Sequence, residues 1–158
     1  MDRKVRGFSV FELLVVIVII AILGSVAFMG LRNMVLRERL YSATTQVVND
    51  LKEVQFRSMS SNATWGIRFC AGNSRYKIFT VSRECQDASP TCDPDQTTQR
   101  IAELPAGVVV SRDYYVVFDR RGYPLNYSCG LGMGNVTVQN DYGSRVITVD
   151  KFGRIRYE

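Results

Sequence analysis

Gly7-Phe8-Ser9-Val10-Phe11-Glu12-Leu13 opens the stretch that governs the fold, and from Leu13 through Leu31 nineteen residues follow without a charge. About 20 such residues cross the hydrocarbon core of a bilayer as a helix, whereas a removable secretory signal needs an apolar core of only about 7–15. Ahead of it, Met1-Asp2-Arg3-Lys4-Val5-Arg6-Gly7 holds three positive charges and one negative. Basic residues flanking an apolar segment stay on the cytoplasmic side. The stretch therefore reads as a single-pass membrane helix with a cytoplasmic N-terminus and the remainder facing outward. Ser25-Val26-Ala27 loosely fits the cleavage rule of a secretory signal, but Glu12 is out of place in such a signal. An unpaired carboxylate at the head of a membrane helix costs on the order of 2–3 kcal/mol. Glu12 thus needs a partner, unless it lies at headgroup level and is merely solvated.

A short basic leader, then Gly7-Phe8-Ser9-Val10-Phe11-Glu12-Leu13, then the apolar helix, resembles the class III signal of type IV prepilins and type II secretion pseudopilins. The resemblance implies that a prepilin peptidase cuts between Gly7 and Phe8, that the new N-terminal Phe8 is methylated, and that Glu12 pairs with the amino terminus of a neighbouring subunit. An α-amino cation and a carboxylate buried together neutralise each other, whereas either alone is expensive. It also implies other major and minor pilins or pseudopilins as partners. The location it implies is the inner membrane before assembly, then the periplasm and an extracellular pilus. Ala21, Gly24, Ser25 and Ala27 are small enough for close helix approach.

Beyond Arg32 the polarity rises, yet Leu40, Val47, Val48, Leu51, Val54 and Met59 recur at spacings that mostly fit one helical face. The spacing predicts one helix from Phe8 to about Ser60, with Gly24 and Gly30 as soft points costing about 1 kcal/mol each. The organisation expected is a leader over 1–7, a membrane and assembly half of the helix over 8–31, an amphipathic half over 32–60, and a β-rich outward domain over 61–158. Ser58-Met59-Ser60-Ser61-Asn62 ends the helix. Strands are then expected at Trp65–Cys70, Arg75–Val81, Arg100–Leu104, Val108–Ser111, Tyr114–Phe118, Val136–Gln139, Arg145–Asp150 and Arg154–Tyr157. A long helix on an antiparallel sheet is an α+β layer arrangement, the pilin-like fold. No internal repeat is evident.

The 158 residues have no histidine and a formal net charge of +5. Without histidine the commonest general base and the commonest metal ligand are missing. No Asp, Glu, Ser or Lys motif converges in their place, so neither an enzyme, nor a cofactor, nor a metal site is expected. Glu84 to Gln99, with Glu84, Asp87, Asp93 and Asp95 and two prolines, reads as an exposed loop. Four cysteines, Cys70, Cys85, Cys92 and Cys129, allow three connectivities. The spacing suggests Cys85–Cys92 with Cys70–Cys129, in a compartment that permits disulfides.

Two arginine motifs close the chain. Phe118-Asp119-Arg120-Arg121-Gly122-Tyr123-Pro124 has turn chemistry, and with the strand before it resembles the GspH/FimT group of minor pilins and pseudopilins. In Asp150-Lys151-Phe152-Gly153-Arg154-Ile155-Arg156-Tyr157-Glu158, Arg154 and Arg156 are expected to share one strand face, about 6–7 Å apart, close to a phosphate repeat. Lys151 and Arg145 extend the expected patch. Gly153-Arg154-Ile155-Arg156 resembles the Gly-Arg-x-Arg tail of FimT-type minor pilins that bind DNA during natural transformation. The resemblance implies non-specific contact with double-stranded DNA at Arg154, Arg156, Lys151 and Arg145. Two alternatives stay open: the tail is a solvated strand edge protected by arginine, or the chain is a GspH-like pseudopilin of type II secretion that binds no DNA.

Overall fold

The Ser9 carbonyl accepts the first helical hydrogen bond, from the Leu13 N–H at 3.2 Å, a position where a small polar residue suits the entry into a helix. The computed structural model describes residues 9–81 and 91–158. Helix α1 runs Val10–Ser60, with Glu12 in its first turn and Arg57 in its last, both signs favourable to the helix dipole. The expected start at Phe8 lies outside the described residues. The helix passes through Gly24 and Gly30. The chain divides into two compact units, one up to Val35 and one from Leu36 to Glu158.

In the first unit the helix carries no charge from Leu13 to Leu31. Phe11, Leu14, Ile17, Ile20 and Leu23 are exposed, and the stretch is long and apolar enough to cross a membrane. A helix of this kind has no polar face to give to water and needs apolar surroundings.

In the second unit α1 buries Leu40, Ala43, Thr44, Val47, Val48, Leu51, Val54 and Ser58, whose three- and four-residue steps set them on one stripe. Met59, expected on that stripe, is 48% exposed. Ser61 hydroxyl and amide both donate to the Arg57 carbonyl, at 2.7 and 2.9 Å, and close the helix. The Ser58 hydroxyl accepts the Trp65 N–H at 2.9 Å and ties the first strand to the helix end.

The strands are β1 Thr64–Phe69, β2 Arg75–Val81, β3 Thr98–Glu103, β4 Val109–Val110, β5 Tyr114–Phe118, β6 Pro124–Leu125, β7 Gly134–Asn140, β8 Gly143–Val149 and β9 Ile155–Tyr157. They form two antiparallel sheets, β3-β2-β1-β5-β6 and β4-β7-β8-β9. Two sheets replace the one expected. Strand β6 escapes sequence reading because it is two residues long and begins with a proline, which is confined to strand starts and edges. One core joins the α1 stripe to both sheets, through Ile67, Phe69, Tyr76, Val116 and Phe118 of the first and Val136, Val138, Ile147 and Val149 of the second.

The first sheet buries its other face as well, in a smaller cluster of Phe79, Val81, Tyr115 and Val117. Lys77 is fully buried there, its ammonium donating to Asp95 Oδ2 at 2.8 Å. Of the segment 84–99, expected to be an exposed loop, the described residues from Thr91 are mostly exposed or half-buried, but Cys92 among them is buried. Cys92 is bonded to Cys70, at the end of β1. This corrects the expected pairing: spacing favoured the short Cys85–Cys92 loop, but the chain after residue 90 folds back under β1 and sets Cys92 against Cys70. Cys129, also disulfide-bonded, is consequently not joined to Cys70. Cys85 lies outside the described residues.

Candidate functional site at two paired basic turns

Asp119-Arg120-Arg121-Gly122-Tyr123 connects β5 to β6, and Asp150-Lys151-Phe152-Gly153-Arg154 connects β8 to β9. They are the same turn made twice. Gly122 and Gly153 each donate from N–H to the carbonyl of the leading aspartate, at 3.0 and 2.9 Å, and each aspartate N–H donates four residues on, to Tyr123 and Arg154 carbonyls at 3.0 Å. Asp119 Oδ1 accepts the Arg121 and Tyr123 N–H groups at 2.8 Å. Asp150 Oδ1 accepts those of Phe152 and Arg154 at 2.8 and 3.0 Å. Both glycines are left-handed, with φ of 83° and 79°, as a short hairpin loop closed by glycine requires. Sequence reading found no repeat, because only the Asp-x-x-Gly spacing is shared.

Gln55 on α1 joins the two. Its side-chain amide donates to the Gly122 and Gly153 carbonyls, each at 2.9 Å. Both glycines are buried, and a Cβ on Gly153 would overlap the Gly122 carbonyl oxygen. A turn from each sheet is thus packed against its counterpart and pinned to the helix.

Arg120, Arg121, Lys151, Arg154 and Arg156 are all exposed. Arg154 precedes β9 rather than lying in it, and its Nε donates to Asp150 Oδ2 at 2.7 Å. This corrects the expectation of two arginines side by side on one strand: the turn holds Arg154 through backbone and guanidinium alike. Partial desolvation pushes the Asp150 carboxyl up, but hydrogen bonds from the Arg154 backbone and side chain and the Phe152 backbone outweigh it, so the carboxyl titrates below its ordinary range. Lys151 Nζ and Arg154 Cζ lie 5.0 and 5.7 Å from the centre of the Phe152 ring. Arg156 pairs with Thr148 across β8 and β9. Arg145 shares the alternate face of β8, with Ile147 and Val149, and lines a cleft with Arg37 and Tyr41 of the helix. The fold therefore separates Arg145 from Arg156, and supplies Arg120 and Arg121 instead.

At the other end of the chain Gly7 and Phe8 lie outside the described residues, and Glu12 stands in the first turn of α1. Among the described residues no group of three or more His, Cys, Asp or Glu could hold a metal ion.

Residues 2–28 match the prokaryotic N-terminal methylation motif. The chain carries a prepilin signal. The solved structures it resembles include two crystal forms of the type IV minor pilin FimU of Pseudomonas aeruginosa. One shares 15% identity and a TM-score of 0.53 over 75% of this chain and 92% of FimU. The other gives 16% and 0.55 over 77% and 90%. The fold, one long N-terminal helix packed on antiparallel sheets, is the pilin fold. No curated protein matches the chain in sequence. A prepilin signal on an apolar helix marks the chain for membrane anchoring, for processing by prepilin peptidase and for assembly with other pilins.

Proposed function

We propose that the chain is a minor type IV pilin made as a membrane precursor. Residues 1–7 are the leader, removed after Gly7, and Phe8 becomes the methylated N-terminus. Residues 8–31 hold the precursor in the inner membrane and later pack in the filament. Residues 32–60 form the amphipathic half of the helix, and 61–158 the domain that faces first the periplasm and then the cell exterior. The observation that carries this reading is the methylation motif on a helix whose apolar side chains are exposed all round, a surface that lipid and then neighbouring pilin helices would cover. Glu12 pairs with the amino terminus of the adjacent subunit. The resemblance to minor pilins supports a place at or near the tip, where the protein primes assembly. Mass spectrometry of membrane-extracted protein should find a chain beginning at methylated Phe8, and an intact Met1 would overturn the reading. Glu12→Ala should leave cleavage intact and abolish incorporation into pili.

The outward domain binds DNA without sequence preference, as for uptake in natural transformation. Arg156 and Lys151 support this through their exposure, with Arg154 beside them. Phosphate contacts by a few side chains should give an affinity of about 1–100 μM that falls with salt. Arg154→Gln with Arg156→Gln should weaken binding and flatten the salt slope by about 1–2 units. One observation favours a second reading, a GspH-like pseudopilin acting in protein export without DNA: the Arg154 guanidinium is already engaged by Asp150. Deleting the gene separates the two, since it should abolish pili in the first case and stop exoprotein release in the second.

A further inference from the structure

Phe152 is one of several large apolar side chains that the domain leaves in water, with Tyr127, Leu131 and Met133, and differs from them in its neighbours. It is 56% exposed at a hairpin tip, with Lys151 and Arg154 beside its ring. It lends nothing to either core cluster. The neighbouring turn sets Arg120, Arg121 and a 43% exposed Tyr123 around the buried seam where Gly122 meets Gly153. Asp119 and Asp150 turn one carboxylate oxygen each to backbone N–H groups inside the turns, and the other oxygen of Asp150 is paired with Arg154. What faces water is a ring flanked by Lys151 and by the Asp150-paired Arg154, beside a turn carrying Arg120 and Arg121, on a support that Gln55 pins.

Single-stranded nucleic acid fits this chemistry. Its bases present free faces for stacking on an aromatic ring, and its phosphates meet the flanking cations. A duplex keeps its base faces inside and offers the same surface phosphates alone. Resting on the nucleic-acid reading of the outward domain, we propose that the paired turns form one composite site for single strands. In it Phe152 stacks a base, and Arg120, Arg121 and Lys151 take the adjoining phosphates. The first turn is thus part of the site, as much as the C-terminal tail.

The test uses the full chain in nanodiscs of phosphatidylcholine, which has no net charge. Fluorescence anisotropy compares labelled oligothymidylate of about 12 nucleotides, within the usual single-strand site size, with an abasic strand of equal length and a duplex. Thymidylate should bind about tenfold more tightly than either. Phe152→Ala should erase that advantage and leave abasic and duplex binding within about twofold, and Phe152→Trp should preserve it. Arg120→Gln with Arg121→Gln should weaken all three and lower the salt slope by about 1–2 units. Equal binding of abasic and thymidylate strands, or an inert Phe152→Ala, overturns stacking. If Arg154→Gln with Arg156→Gln still weakens that binding, DNA contact through the tail stands without it. An inert Arg120/Arg121 double variant overturns the composite site. Binding of no nucleic acid removes this proposal and the DNA reading together.

Discussion

Gln55 Nε2 lies 2.9 Å from the carbonyl oxygen of Gly153, 98 residues further along the chain, and equally close to that of Gly122. One helical side chain thereby satisfies two buried carbonyls from two different sheets. Each would otherwise be an acceptor without water, and leaving such a group unpaired costs about 1–3 kcal/mol.

Gln55→Leu should accordingly destabilise the protein by about 2–4 kcal/mol, since both carbonyls lose their donor and the change keeps the side-chain bulk. Thermal unfolding followed by circular dichroism reads this directly. A midpoint unchanged from the parent would mean that the two turns hold without the pin.

Gly153→Ala and Gly72→Ala form an internal comparison. Both glycines are left-handed, at φ 79° and 78°, so each substitution incurs about 1–2 kcal/mol of backbone strain. Nothing surrounds a Cβ at Gly72, whereas one at Gly153 would overlap Gly122. Gly153→Ala should therefore be the more harmful by about 2 kcal/mol or more, and equal losses would show that the seam can open at no cost.

Lys77 and Asp95 make stability sensitive to acid. Partial desolvation pushes the Asp95 carboxyl up, but hydrogen bonds from Lys77, Thr97 and Thr98 prevail and hold it well below the usual carboxylate range. A carboxyl lowered by folding stabilises the native state above its unfolded value of about 3.9, and the contribution drains away as pH falls toward the folded value. Asp95→Asn should cost about 2–3 kcal/mol at pH 7, where it strands a buried ammonium. In denaturant titrations the gap from the parent should narrow below about pH 4. Lys77→Met with Asp95→Asn should recover much of the loss. A gap independent of pH would deny the pair this role.

Proteolysis without reduction should yield a peptide pair joined through Cys70 and Cys92. Replacing both by serine should cost about 2–4 kcal/mol, given a sequence separation of 22 residues. A peptide joining Cys70 to Cys129 would contradict the arrangement of the sheet and the segment from Thr91.

Local chemistry sufficed for the long helix and for most strands. The charge-free run after Glu12, the stripe from Leu40 to Val54 and the serines that close α1 act on near neighbours, so their spacing carries the information. The turn chemistry of Asp119–Gly122 and Asp150–Gly153 was readable for the same reason. Lys77 was not, because a lysine is ordinarily left to water, and its burial and partner come from a segment 16 to 18 residues away. Nor was the disulfide, since spacing ranks loops by length and ignores where the chain returns. Arg145 and Arg156 look alike along the sequence, yet strand register sends them to opposite faces of the second sheet. The composite site depends most on packing. Gln55 reaches Gly122 and Gly153 across 67 and 98 residues, and hydrogen bonds over such distances leave no periodicity in a sequence, because they exist only once helix and sheets have come together.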